Sequence, residues 1–573
     1  MLYNSIVFFL ASSSIITATE NPVKRIYANL LVHDFPMAVQ EAKVALQNDD
    51  HNEELWQAYI QALAKNGDEH EMMRAWKMYS EKFPNAASNH AVVESMAWGV
   101  LEKASKNANP MTRIYALLGA FFSQDAKGVE IIHRLLSDAN SCVRGAAVLI
   151  SSHLHDAKLC DDVWRIFLEE KVPKVRLEAI QAVGEMKIKK AKTQLISIIA
   201  DPMSTAQEKA VAIVSIISMF DSADRQEIQA LSTSNRAGLR LVACKVVSEL
   251  DLIDCLDCIE PLLKDHSSEV RAAAIAAFGA LHITNYQGKP VTELAAEMLN
   301  DNDSDVAITA AWVLTLNDPN QGQKAFNNWL KHHQQDIRLL AASALASCGK
   351  YSLPLAENAF KQSNDPYVRL NLALGLIGQQ NSIEQACGEL CNGLVHSDDR
   401  WTWEERGPFR MLVPSTLSRD ASSLDSPDAE NQRTRLDIIN TLAIMKYSHA
   451  KDALVQCLQH RLWGVAGMAA ALMLTEGDEP ALDLVRTLLD NKNDNIKLQA
   501  ALILAIWGRD EEVITFLHEA YHKGGRDQKE RILEGIGRVG ASSSIPFLVE
   551  RLNEASNSLR ILAASALLET LYH

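Results

Sequence analysis

The residues His518-Glu519-Ala520-Tyr521-His522 have the types and spacing that could do chemistry. On a helix, histidines four apart share a face and can hold zinc, and a glutamate beside them can serve as the general base of a hydrolase. The surroundings do not complete that site. Gln528 stands where a third histidine ligand would fall, Lys523 places a positive charge next to the second histidine, and no acidic ligand is fixed by spacing. Aligning Phe516, Leu517, Ala520 and Tyr521 with Leu484, Val485, Leu488 and Leu489 puts the apolar residues inward, and His518 and Glu519 then take the outward positions of Arg486 and Thr487. His518 and His522 are thus expected at the surface, with a zinc hydrolase as the alternative. No glycine-rich phosphate loop and no nucleophile in a strand-to-helix turn stands elsewhere, so no catalytic residue and no cofactor is expected. Cys255 and Cys258 form a lone CxxC, Cys387 and Cys391 lie one turn apart, and all nine cysteines read as small buried hydrophobes.

A second constellation fits recognition and not catalysis. Arg400, Trp401, Trp403, Arg406, Phe409 and Arg410 fall within eleven residues, a mixture typical of the few side chains that dominate protein interfaces. Two readings stay open: these side chains meet a partner protein, or the tryptophans pack on the chain's own helices. From Pro414 to Asp428 the chain is rich in Ser, Asp and Pro, which predicts an ordered base followed by a mobile tip.

The elements that position these residues come from a repeat. Thirteen times between Cys142 and Leu567 a branched apolar residue, a basic residue, a small residue and an apolar stretch recur, mostly 31 or 32 residues apart. The basic slot is Arg144, Arg176, Lys209, Arg240, Arg271, Arg338, Arg369, Arg435, Lys497, Lys529 or Arg560, and Ala307 and Ala466 in two units. Such a period marks a solenoid, in which no unit can bury its own apolar face and each must stack on its neighbours. An all-α architecture follows, an α-solenoid or α-α superhelix of stacked antiparallel helix pairs, expected as one continuous array. Alanines after the basic slot, such as Ala274 and Ala341, are the expected close-approach positions. Asp138, Asp265, Asp303 and Asp365 are the expected partners of the arginines. One step, Arg369 to Arg435, is 66 residues, one normal step of 31 plus 35 more, so the tryptophan segment is an insertion, which in repeat arrays becomes a loop on one face.

The units built on Glu269-Val270-Arg271-Ala272-Ala273-Ala274-Ile275, Asp336-Ile337-Arg338-Leu339-Leu340-Ala341-Ala342 and Ser558-Leu559-Arg560-Ile561-Leu562-Ala563-Ala564 resemble HEAT repeats, in particular the short units of phycobilisome lyases. Before them, Trp56, Gly67 and Pro84 stand at the spacings of a tetratricopeptide repeat, with Trp76 at that family's aromatic position. The resulting organisation is an apolar segment or possible signal peptide at 1–21, tetratricopeptide-like helices at 22–105, HEAT-like repeats at 106–395, an inserted, partly disordered loop at 396–434, and HEAT-like repeats at 435–573. The resemblance implies a non-catalytic scaffold or assembly factor that binds a protein partner along its groove and through the insertion. A lyase-like enzyme and a nucleic-acid-binding solenoid are the other readings, and the formal charge of -16 counts against the latter. An odd number of cysteines in apolar stretches favours the cytoplasm, with export through the weak amino-terminal signal as the alternative.

Overall fold

The computed structural model describes residues 21–123, 125–154, 156–418, 427–460 and 479–572. The apolar start of the chain, His155, most of the expected mobile tip and the slot at Ala466 lie outside the described residues. Within them the chain is helical apart from two short antiparallel hairpins. The expected all-α array of helix pairs is present, divided into two compact units. One joins Met1–Ile150 to Arg509–His573, and the other is Ser151–Gly508.

In chain order, the first unit contains α1 (Glu53–Asn66), α2 (Glu69–Lys82), α3 (His90–Ala104) and α4 (Pro110–Ser123). The second contains α5 (Ala237–Glu249), α6 (Ser268–Ala280), β1 (Asn285–Tyr286), β2 (Lys289–Pro290), α7 (Ser304–Asn317), α8 (Gln335–Ser347), α9 (Pro366–Gly378), β3 (Trp401–Arg406), β4 (Phe409–Pro414) and α10 (Pro427–Ile444). The chain returns to the first unit with α11 (Ile514–Lys523), α12 (Arg526–Val539) and α13 (Asn557–Tyr572).

Helices α5 to α9 are the second helices of successive repeats and stack side by side. They are apolar nearly all round because they are covered by their own first helix and by the neighbours on either side. Ala274 and Ala341 are fully buried at the close-approach positions. Gly279 shows how near the backbones come: a Cβ there would lie 2.3 Å from the Trp312 ring of α7.

The slot arginines have a double task that the sequence period showed only in part. Nη1 of Arg113, Arg144, Arg240, Arg271, Arg338 and Arg560 donates in each case to the carbonyl six residues earlier, a helix-end or turn oxygen otherwise without a partner. The rest of the guanidinium grips an aspartate of the following unit: Arg113 with Asp138, Arg240 with Asp265, Arg271 with Asp301 and Arg338 with Asp365. Three expected aspartates are therefore ladder partners, and Asp303 is not. In its loop the two jobs are split, with Asp301 taking the arginine and Asp303 capping α7. Asp365 does both, capping α9 while holding Arg338. The ladder begins one unit earlier than the sequence period, at Arg113. The first three of these pairs are fork-shaped, Arg338 gives both nitrogens to one oxygen of Asp365, and all four are largely covered, which makes them stronger than exposed surface pairs.

In the first unit, α13 packs against α12, as its repeat requires, and equally against α3 and α4 from the other end of the sequence. The terminal repeat of an array would otherwise leave an apolar face in water. Here the chain's own early helices cover it. Trp98 Nε1 donates to the Tyr572 hydroxyl at 3.0 Å, that hydroxyl donates to Glu94 at 2.9 Å, and Arg560 reaches Glu69 at 3.3 Å.

A candidate protein-binding groove under the inserted hairpin

The insertion begins with a hairpin and not an irregular loop. Arg406 pairs with Phe409 across a two-residue Gly407-Pro408 turn, and Gly407 has φ +61°. A glycine with positive φ followed by proline, whose φ is fixed negative, makes a type II′ turn, whose twist matches paired strands. The tryptophan-threonine alternation of β3 was the sequence signal for it.

Three side chains from the repeats fasten the hairpin by its edges. The Asn371 amide of α9 donates to the Leu412 carbonyl at 2.9 Å and accepts from the Leu412 amide at 2.8 Å, pairing β4 as another strand would. Ser343 of α8 donates to the Arg410 carbonyl at 2.7 Å. On the other edge, Asn431 of α10 accepts from the Trp401 amide at 2.9 Å. Below the base, the slot residue Arg435 donates to the carbonyls of Leu394, Ser397 and Asp399 and stacks on the Trp401 ring. These bonds satisfy edge-strand polar groups that would otherwise be left for another chain to pair with.

The six sequence-derived site residues divide accordingly. Trp401 and Phe409 are 0% and 2% exposed, Phe409 meeting Trp312 edge-to-face at 5.5 Å. Trp403 is half-buried, donating to Asp437 at 2.9 Å beneath the Arg410 guanidinium. Arg400 pairs with Asp428 at the surface. Arg406 has a side chain only 10% exposed, lying 3.6 Å from Asp305, 3.5 Å from Asp336 and 3.6 Å from Glu404. None of its guanidinium nitrogens makes a hydrogen bond.

Between the hairpin and α5, α6 and α7 runs a groove of about 1150 Å³. Its floor is Ala272, Ala273, Ala276 and Ala280 of α6, its roof Trp403, Glu404, Glu405, Arg406, Gly407 and Pro408, and its flank Glu430 and Arg433 of α10. Small residues on the floor leave room for an occupant's side chains. Burial among these helices pushes the Cys244 thiol at the groove up to about 12, so it stays protonated and unreactive. The carboxylates Glu269, Asp305 and Asp336, each two residues before a basic slot in three consecutive units, were not singled out from sequence, nor were Asn371 and Asn431. The acidic repeat position and an asparagine amid the apolar Leu370-Leu372 run were the available signals.

His518 is not the outward surface residue its register predicted. Its ring stacks at 4.1 Å on Phe547, in the helix Ile545–Arg551 that opens the next repeat, its Nε2 is buried without a hydrogen-bond partner, and burial lowers its pKa. The repeat that follows covers this face, which a single-unit alignment does not reveal. His522 and Glu519 are exposed. Among the described residues no cluster of three or more His, Cys, Asp or Glu is placed to hold a metal ion, and no helix is long and apolar enough to cross a membrane.

The fold and groove define a helical-repeat protein, and a HEAT-repeat family model matches residues 255–282, the unit containing α6. No curated protein matches the sequence. Among solved structures, the karyopherin Kap121p bound to Pho4p aligns at 11% identity over 96% of this chain and 78% of that one, with a TM-score of 0.33. The UNC-45 chaperone aligns at 13% identity over 96% and 81%, TM-score 0.29, and human deoxyhypusine hydroxylase at 14% over 46% and 98%, TM-score 0.21. Similarity at this level transfers neither a site nor a partner.

Proposed function

We propose that the protein is a non-catalytic scaffold or assembly factor that holds a partner protein in the groove between the inserted hairpin and α5 to α7. The observation that carries this is the seat of the hairpin. It is anchored at both edges by buried amides, yet leaves an open channel with an alanine floor along one side. A rigid concave surface of this size, offering backbone edges and a mixture of charged and aromatic groups, suits a protein segment. Of the six residues expected to contact a partner, Trp403, Arg406 and Arg410 line the channel. Trp401 and Phe409 support it from beneath.

Ala276→Trp tests the proposal, because the side chain projects from the half-exposed floor and would fill the channel without overpacking the core. Capture from the source cells with wild-type and variant protein, followed by identification of what is retained, should show a defined partner lost from the variant. Identical retention by both proteins, with the variant folded, would move the binding surface elsewhere.

A further inference from the structure

The groove already contains one cation in a chosen place. Arg406, brought in by the hairpin, sits between Asp305 of α7 and Asp336 of α8 at 3.6 and 3.5 Å. Those aspartates occupy the same repeat position, two residues before the slot, and the unit before them carries Glu269 there, on α6. The three carboxylates thus recur at the first turns of three neighbouring helices, where the positive helix end favours them. Arg406 meets two of the three.

The remaining charge of the groove is unbalanced. Glu249, Glu269, Glu405 and Glu430 line it with no hydrogen bond or ion pair among the described residues, whereas Lys245 is the single lining cation in that condition. Arg410 is held by Asp437 and the Trp403 ring. Glu249, Glu269 and Glu405 are exposed and Glu430 is half-buried, so their mutual repulsion is partly screened by water, and an entering cation adds one attraction against several carboxylates at once. The alanine floor admits a backbone and short side chains, and excludes a folded domain.

We infer that the groove binds an extended, arginine- or lysine-bearing segment of the partner, with a cationic side chain beside Glu269 placed as Arg406 is placed beside Asp305 and Asp336. The inference rests on the protein-binding reading above and adds the chemistry of the partner. The hairpin then acts as a built-in guide, neutralising two steps of the acidic series and leaving the third for the ligand.

Fluorescence anisotropy with the full chain tests this, using labelled peptides of about twelve residues, about 40 Å when extended at about 3.3 Å per residue. Three sequences are compared: alternating Arg and Ser, Gln and Ser, and Glu and Ser. The arginine peptide should bind at least about tenfold more tightly than the others. The combined Glu249→Gln, Glu269→Gln, Glu405→Gln protein should lose about tenfold or more, while Glu81→Gln, Glu511→Gln, Glu512→Gln, the same charge change on exposed residues of the first unit, should bind as wild type does. Equal loss in both triple variants would reduce the effect to net charge and overturn the inference, as would failure of all three peptides to bind. If the glutamine peptide binds as tightly as the arginine peptide and Ala276→Trp abolishes both, the groove reading survives and its preference for cations does not. If the arginine peptide binds unchanged to Ala276→Trp, both fail.

Discussion

Under the hairpin of the second unit and at the last repeat of the first, the same kind of helical array buries charge in opposite ways. Beneath the hairpin, Arg406 enters a ring of three carboxylates, Asp305, Asp336 and Glu404, and charge is met by charge. Where the last two repeats meet, Glu534 of α12 and Glu569 of α13 are both buried, and Arg538 reaches only Glu569, at 3.3 Å. Burial there pushes Glu534 up to about 8 and Glu569 up to about 7, with the nearby Arg538, Arg531 and Arg509 opposing it incompletely. The second solution is to hold a proton more tightly, Glu534 more so than Glu569. Repeat stacking thus fixes where a polar residue is buried, and the neighbouring elements decide whether its charge persists.

The largest effects should come from the aromatics that seat the hairpin. Trp401→Ala or Phe409→Ala should destabilise the second unit by about 3 to 5 kcal/mol, read from denaturant unfolding, because each removes a fully covered ring. Trp403→Ala, at a half-buried position, should cost clearly less. Equal losses at Trp401 and Trp403 would mean that the hairpin is not divided into a supporting and a presenting part.

The charge comparison is sharpened by pH. A carboxyl whose folded pKa exceeds its unfolded value takes up a proton on folding, so its contribution favours the fold at low pH and is lost as pH rises. For Glu534 and Glu569 that window runs from the ordinary 4.5 through about 7 and 8. The first unit should therefore melt at lower temperature at pH 8.5 than at pH 5.5, and Glu534→Gln should reduce that difference. Asp265 and Asp301 behave in the opposite sense. Hydrogen bonds from Arg271 hold Asp301 below its usual range, and those from Arg240 hold Asp265 there against burial, so their contribution is lost only as pH falls through those depressed values. An unchanged pH profile in Glu534→Gln would contradict the protonated-carboxyl account.

Smaller effects test the edges of each region. Asn371→Ala leaves the Leu412 amide and carbonyl without partners and should cost about 1 to 3 kcal/mol. His518→Ala should cost about 1 kcal/mol through loss of the Phe547 stack, whereas His522→Ala, at an exposed position, should fall within about 0.5 kcal/mol of wild type. Tightly held zinc that disappears in the double variant would restore the hydrolase reading.

The repeat was legible because stacking demands the same residue at the same place in each unit: Ala274, Ala341 and the arginine slot were all visible as a period. What joins elements far apart in sequence left no such trace. Tyr572 meets Trp98, and Asn371 pairs with Leu412, through contacts that no local pattern encodes. The broken step pointed to the segment that contains the hairpin, but α10 already begins at Pro427, within the expected loop, and the composition concealed the hairpin's form. Tryptophan and arginine mark interfaces, and they serve equally well to bolt a hairpin to its own helices. Trp401 and Arg435 do that here.

The central claim is that the channel beside the hairpin receives the partner. A photoreactive benzoylphenylalanine placed at Ala276, on its floor, should crosslink the captured partner in the source cells, and the same residue at the exposed Val214 should not. Crosslinking from Val214 with none from Ala276 would contradict the account.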